Sequence, residues 1–268
     1  MNKRQVVAGC VLGVGAFVAL GAYTFTALSQ QNKAMGELTA SIQSLANNQG
    51  LSSAELDESV QRSLMAMKER EVAEIRESMF SRYSHASNDL DGDNWIYGSP
   101  EARFTLVEYA DTECGYCKRF HSTPKGIVEA SNGNVNWEYQ HLTVMGERSI
   151  KQAQAAECVG DQLGNQSFWV YLSEIYERTG SNGQGAGDLR ALAQEVGADL
   201  TDFDACVSSG THIEDIQAST TLARSMGISG TPATVLVDNV TGEKQILGGA
   251  QPTEAFVQAM RQMMQRDS

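Results

Sequence analysis

The 268-residue sequence predicts an α/β domain carried behind an N-terminal membrane anchor and a helical stem. Three observations predict it. An uncharged apolar run lies near the N-terminus, a polar segment without proline or cysteine follows, and the rest alternates strand-like and helix-like patterns in the order strand, helix, strand, long helical stretch, hairpin, helix. With 41% hydrophobic residues the chain can bury a substantial core without help from disulfides. Its 33 acidic against 20 basic residues give a net charge of -13 with no basic cluster to neutralise phosphates, which argues against a nucleic-acid partner.

Residues 1–28 read as a signal-anchor. Lys3 and Arg4 precede Val6 to Leu28, a stretch of about 23 residues that reaches roughly 34 Å as a helix and can span a bilayer. The basic pair stays in the cytoplasm, so the remainder is expected in the periplasm, tethered to the inner membrane. Small residues at Ala19 to Tyr23 leave a cleaved signal peptide, and a soluble periplasmic body, as the alternative. Val7-Ala8-Gly9-Cys10 has the look of a lipoprotein box, but the apolar core follows Cys10 instead of preceding it, so Cys10 reads as an ordinary membrane-embedded residue. In an exported body the other four cysteines, Cys114, Cys117, Cys158 and Cys206, are an even set able to form two pairs.

Residues 29–90 read as the stem. Met35, Leu38, Ile42 and Leu45 follow coiled-coil spacing, and Asn47 to Gly50 interrupt it. Ser52 with Glu55 forms a capping box that opens a second helix, whose stripe is Leu56, Val60, Leu64, Met67, Val72, Ile75 and Met79. So narrow a stripe cannot bury itself in one helix, which favours a homo-oligomerising stem over a solvated spacer. The composition shifts through "SNDLDGDNW", and residues 91–268 form the expected domain.

Within it Arg103 to Tyr109 reads as a strand, Lys118 to Ala130 as a helix that Pro124 kinks or interrupts, and Val135 to Val144 as a second strand. A helical insertion spans about 146–227, punctuated by "GSNGQGAG". Thr211 with Glu214 is expected to cap its last helix, and Gly227 to stop it. Ala233 to Asp238 then reads as a strand, "NVTGEK" as a turn, Gln245 to Leu247 as the partner strand, and Phe256, Val257, Met260, Met263 and Met264 as the apolar face of a closing helix.

The chemistry centres on "ADTECGYCKRF". A Cys-x-x-Cys pair where a strand hands over to a helix places Cys114 against unpaired N–H groups that favour its thiolate, and Cys117 one turn later, close enough to form a disulfide with it. Cys114 is therefore the expected nucleophile and Cys117 the resolving thiol. A zinc site needs four ligands, and His121 and His141 are the local candidates beyond the pair. No second Cys-x-x-Cys is present, so no metal and no cofactor is expected; an inert structural disulfide is the remaining alternative.

"FTLVEYADTECGYCKRFH", the long helical stretch, "GISGTPATVLVD" and the closing helix resemble the DsbA-like branch of the thioredoxin superfamily, over roughly Trp95 to Met264. The resemblance implies a thioredoxin-like fold with a helical insertion. It puts Thr231 and Pro232 in the cis-proline loop that holds an extended client segment by its backbone. It makes Glu108 the buried acid beneath the pair, able to relay the proton of Cys117. A second, non-catalytic disulfide between Cys158 and Cys206, similar to one in several exported relatives, would close a loop of about 49 residues worth roughly 4 kcal/mol; two buried free thiols are the alternative. His121 reads as a solvated helix residue, or one that tunes the thiolate by charge.

Cys-Gly-Tyr-Cys looks like the DsbC type of disulfide isomerase, whereas strongly oxidising members resemble Cys-Pro-His-Cys and often carry Val in place of Thr231. The expected function is an exported thiol-disulfide oxidoreductase, an isomerase or reductase of cysteine-containing exported proteins, kept reduced by a membrane redox partner. A dithiol oxidase and a non-enzymatic holdase are the alternatives. The coiled stem departs from the small β-rich dimerisation domain of DsbC and is closer to the helical stalk of trimeric suppressor-of-copper-sensitivity proteins.

Overall fold

The computed structural model divides into two compact units, Met1–Glu71 and Val72–Ser268. It describes residues 53–88 and 94–266, with isolated positions at 36, 40 and 44. The anchor at 1–28, Cys10, the Met35, Leu38, Ile42 and Leu45 seam, and Ser52 lie outside the described residues. Among the described residues no helix is long and apolar enough to cross a membrane.

Helix α1, Ser53–Ser81, contains neither glycine nor proline. In the first unit its Leu64, Met65 and Met67 are exposed. In the second unit Val72 and Ile75 are exposed too, but Met79 is buried, as are Tyr83 and Ala86 just past the helix end. These three residues join the main core, which is why the second unit begins ahead of the compositional shift at Ser87 to Gly92.

A five-stranded sheet organises the second unit, in the order β1-β3-β2-β4-β5. Its strands are β1 Ile96–Tyr97, β2 Phe104–Ala110, β3 Val135–His141, β4 Ala233–Asp238 and β5 Lys244–Gly248. Only β2 and β3 run parallel, as their crossover through α2 Gly115–Phe120 and α3 Ser122–Ala130 requires. Period-two alternation along β2 sends Phe104, Leu106, Glu108 and Ala110 toward the main core, and Val107 and Tyr109 toward a smaller one with Ala223 and Ile228. Between β3 and β4 lie α4 Glu147–Leu163, α5 Asn165–Arg178, α6 Leu189–Val196, α7 Leu200–Ser209 and α8 Ile213–Ser225. Asp188 and Asp199 cap α6 and α7 by accepting two backbone N–H bonds each. The closing helix α9, Thr253–Arg266, packs on β4 and α3 and buries Phe256, Met260 and Met263.

Local chemistry explains where the structure departs from the sequence expectations. The helix expected over Lys118 to Ala130 is two helices, and the first starts earlier, at Gly115. Pro124 has no N–H for the Phe120 carbonyl, so the break falls at His121. Strand β3 stops at His141, short of Val144, because the N–H groups of Val144 and Met145 turn to the Asp111 carboxylate at 2.8 and 2.9 Å. The capping box of Thr211 and Glu214 does not form: His212 precedes α8 without a side-chain cap, and the Thr211 hydroxyl bonds that of Ser209 at 2.6 Å. The two-residue β1 carries no periodicity by which to read it.

Candidate active site

At the end of β2 the Cys114 N–H donates to the Asp111 carbonyl at 3.0 Å, which turns the chain and leaves Cys114 extended at the head of α2. Cys114 and Cys117 are both free thiols, the first at the rim with 6% of its surface exposed and the second fully buried. Their acidities diverge. The hydrogen bond from the Cys117 thiol, then those from the Thr231 side chain and the N–H groups of Cys117 and Tyr116, outweigh burial and bring Cys114 from 9.0 down to about 5. Burial, the bond to Cys114 and the Glu108 charge push Cys117 far above the ordinary thiol range.

Glu108 sits mid-strand on β2 between Tyr139 of β3 and Thr234 of β4, 1% exposed. Neither of its oxygens makes a hydrogen bond of normal geometry, and the Trp137 indole N–H, the group that most favours its ionised form, is itself unpaired. Burial, with a smaller contribution from the Cys114 charge, raises Glu108 to about 8. The peptide bond between Thr231 and Pro232 is cis. The Cys114 thiol approaches the Thr231 carbonyl at 3.4 Å, and the Pro232 carbonyl accepts the Gly249 N–H at 2.9 Å, tying the loop to the end of β5.

His121 is not the solvated residue that its helical spacing indicated. The break between α2 and α3 turns it inward, where it is buried among Tyr83, Trp137 and Tyr176 with its Nε2 3.0 Å from the Tyr83 hydroxyl. Burial, and then the charge of Lys125, lower it to about 3. It is neutral at physiological pH and lends the thiolate no positive charge. Tyr116 faces solvent, with the Arg119 guanidinium 4.6 Å from its ring centre. The arrangement thus supplies a thiolate at the rim, a fully buried partner thiol, and a carboxyl group whose protonation changes near neutral pH.

A family model described as thioredoxin matches residues 90–251. The chain belongs to the thioredoxin family. Among solved structures of this family, Pseudomonas aeruginosa DsbA2 is 31% identical with a TM-score of 0.58, over 65% of this chain and 97% of that one. A thioredoxin-like oxidoreductase from Silicibacter pomeroyi DSS-3 is 26% identical with a TM-score of 0.55, over 65% and 94%. The fold is therefore the DsbA-type variant of the thioredoxin fold. A Na(+)/H(+) antiporter NhaA of Herminiimonas arsenicoxydans is 28% identical over 137 residues, which are 51% of this chain and 21% of that protein. The chain spans about a fifth of the length of the curated relatives it matches.

Sequence reasoning passed over two acids that shape this thioredoxin-family site, although both stand in the quoted motif. Asp111 caps the turn through the Glu113 N–H at 2.8 Å as well as those of Val144 and Met145. Glu113 is fully buried and accepts from Gln152 at 2.6 Å, the Thr179 hydroxyl at 2.7 Å and the Gly185 N–H at 3.1 Å. Burial alone would raise its carboxyl, but these bonds hold it below its ordinary value. Its carbonyl also takes the Asn182 N–H at 2.7 Å. Glu113 thereby pins residues 179–185 beside the cysteine motif, including Ser181 and Asn182 in left-handed conformations that non-glycine residues rarely adopt. Among the described residues the other two cysteines, Cys158 on α4 and Cys206 on α7, are joined in a disulfide.

Proposed function

We propose that this chain is a thiol-disulfide oxidoreductase of the cell envelope that isomerises or reduces disulfides in cysteine-containing exported proteins. The observation that carries the proposal is the pairing of a Cys114 thiolate stable to about pH 5 with a buried, protonated Cys117. Cys114 attacks a client disulfide; the Cys114–client bond forms, the client S–S bond breaks, and one client thiolate leaves. In isomerisation another client thiolate displaces Cys114. In reduction Glu108 takes the Cys117 proton, Cys117 attacks the Cys114 sulfur, and the client leaves with two electrons gained while the pair becomes a disulfide. A membrane redox partner returns those electrons. Thr231 and Pro232 hold the client backbone beside Cys114, a role supported by the Thr231 carbonyl lying 3.4 Å from its sulfur.

The isomerase or reductase direction is supported by Gly115 and Tyr116 between the cysteines and by the neutrality of His121, none of which adds a positive charge to stabilise the thiolate. Export is supported by Lys3 and Arg4 ahead of the uncharged run, and by the Cys158–Cys206 disulfide. A homo-oligomer through the stem is supported by the exposed Leu64, Met65 and Met67. A dithiol oxidase is the second reading, favoured by the depth of the Cys114 depression, since stabilising the reduced thiolate makes a pair more oxidising.

Equilibration with glutathione, paired with refolding of scrambled ribonuclease, tests the proposal. A potential well below about -120 mV with isomerase turnover supports it, and one near that value selects the oxidase. If Cys114→Ala rescues the client as well as the parent does, the chain is a holdase and not an enzyme.

A further inference from the structure

The Cys158–Cys206 disulfide is surrounded by groups that a structural bridge does not need. Its Cα atoms are 5.8 Å apart, and His212, which precedes α8, brings a ring nitrogen within 4.8 Å of both sulfurs. The His212 residue is 9% exposed, and its Nε2 makes no hydrogen bond. An Asp161 carboxylate oxygen stands 3.0 Å from that nitrogen, at the distance of a hydrogen bond but not at its angle. Asp161 lies one turn along α4 from Cys158. Beside this group opens a polar cleft of about 620 Å³ whose walls include His141, Glu157, Asp161, His212 and Asp215.

We propose that Cys158, Cys206 and His212, with Asp161 as the fourth ligand, form a redox-gated site for a thiophilic cation, Zn2+, that assembles when the disulfide is reduced. A dithiol delivers two electrons and two protons to the bridge and leaves as its own disulfide; the S–S bond becomes two thiols. Zn2+ then displaces both thiol protons and forms two Zn–S bonds. At a Zn–S distance of about 2.3 Å, tetrahedral geometry separates the sulfurs by roughly 3.8 Å, which side-chain rotation reaches from the present backbone spacing. Two thiolates and a neutral imidazole are the donor set that favours this metal over hard cations. The acidic walls of the cleft raise the local cation concentration and give an entry path. Oxidised, the sulfurs carry no charge and the site is closed. None of these residues takes part in the chemistry of Cys114 and Cys117.

The test uses the full chain in detergent carrying Cys10→Ser, Cys114→Ser and Cys117→Ser, so that Cys158 and Cys206 are its remaining thiols. The chain is reduced with a trialkylphosphine, and Zn2+ uptake is read by native mass spectrometry. Co2+ replaces Zn2+ for absorption spectroscopy, and far-ultraviolet circular dichroism follows the fold. The expected result is one Zn2+ per reduced chain and none per oxidised chain. The Co2+ form should show thiolate-to-metal charge transfer with tetrahedral d–d bands. His212→Ala should weaken binding at least about tenfold and alter those bands, and Asp161→Asn should weaken it less. Failure of the reduced chain to bind Zn2+, equal uptake by the oxidised chain, or an unchanged affinity in His212→Ala overturns the proposal. So does a reduced chain that unfolds and that Zn2+ does not refold.

Discussion

Cys117→Ala removes the largest support of the Cys114 thiolate, the hydrogen bond from the Cys117 thiol, and leaves those from Thr231 and two backbone N–H groups in place. A hydrogen bond to a charged group contributes about 1.5–3 kcal/mol net, and a tenfold change in acidity corresponds to about 1.4 kcal/mol. The Cys114 midpoint should therefore move from about 5 to roughly 6–7, still below its ordinary 9.0. At pH 7 the thiolate population falls from about 99% to between roughly half and nine-tenths. The assay is the pH dependence of the iodoacetamide alkylation rate in a chain also carrying Cys10→Ser, with the parent measured after reduction. A variant midpoint indistinguishable from the parent's refutes the assignment of the support to Cys117, and a parent midpoint near that of free cysteine refutes the site electrostatics altogether. The same shift sets a stability trend. The folded pKa lies below the unfolded one, so the contribution of Cys114 to the reduced protein is fully present above about pH 9 and is lost as pH falls through about 5. In Cys117→Ala that loss is complete about one to two pH units higher.

Three more outcomes can be measured. Glu108 has the opposite sign: its folded pKa of about 8 lies above the unfolded 4.5, so its ionisation costs stability progressively as pH rises through that window. Glu108→Gln should stabilise the fold by on the order of 3 kcal/mol at pH 7 in urea titrations, yet slow release of a Cys114 mixed disulfide by about 10²-fold or more; unchanged release excludes Glu108 as the proton acceptor. Replacing Cys158 and Cys206 together by alanine should cost about 4 kcal/mol and leave the Cys114 alkylation profile in place, and a changed profile would show that the bridge shapes the site. Removing residues 1–71 should leave the melting of the remaining unit unchanged, whereas removing 1–88 also strips the buried Met79 and Tyr83 and should cost roughly 3–6 kcal/mol; equal melting of the two truncations would contradict their packing.

The parts of this fold that could be read from sequence are those whose signal is local. "ATVLVD" is an apolar run bounded by Pro232 and a turn, and it is β4 at the expected residues. The cysteine motif carries its own strand-to-helix context. What escaped depends on residues distant in the chain. His121 is buried because a helix break turns it toward Tyr83, 38 positions earlier, and no helical spacing encodes that. Met79 continued the stem stripe by periodicity, but the core claimed it. Glu113 looked like one more acid in an acidic chain, since its partners Gln152, Thr179 and Gly185 come from the insertion. Thr211 and Glu214 matched a capping pattern that a competing hydroxyl, Ser209, defeats.

The unequal acidity of the two cysteines also makes the pair a clock. In the proposed reaction, escape of a client bound to Cys114 waits on a sulfur that burial keeps protonated, so the dwell time would follow how often the Glu108 carboxylate is free to take that proton. Burial raises Glu108, so as pH falls the acceptor is more often occupied and, under the proposed reaction, a captured client would have longer to rearrange its own sulfurs before Cys117 ends the encounter. On the proposed reading, whether a client would leave reshuffled or reduced is a matter of timing as well as potential, with pH setting the pace.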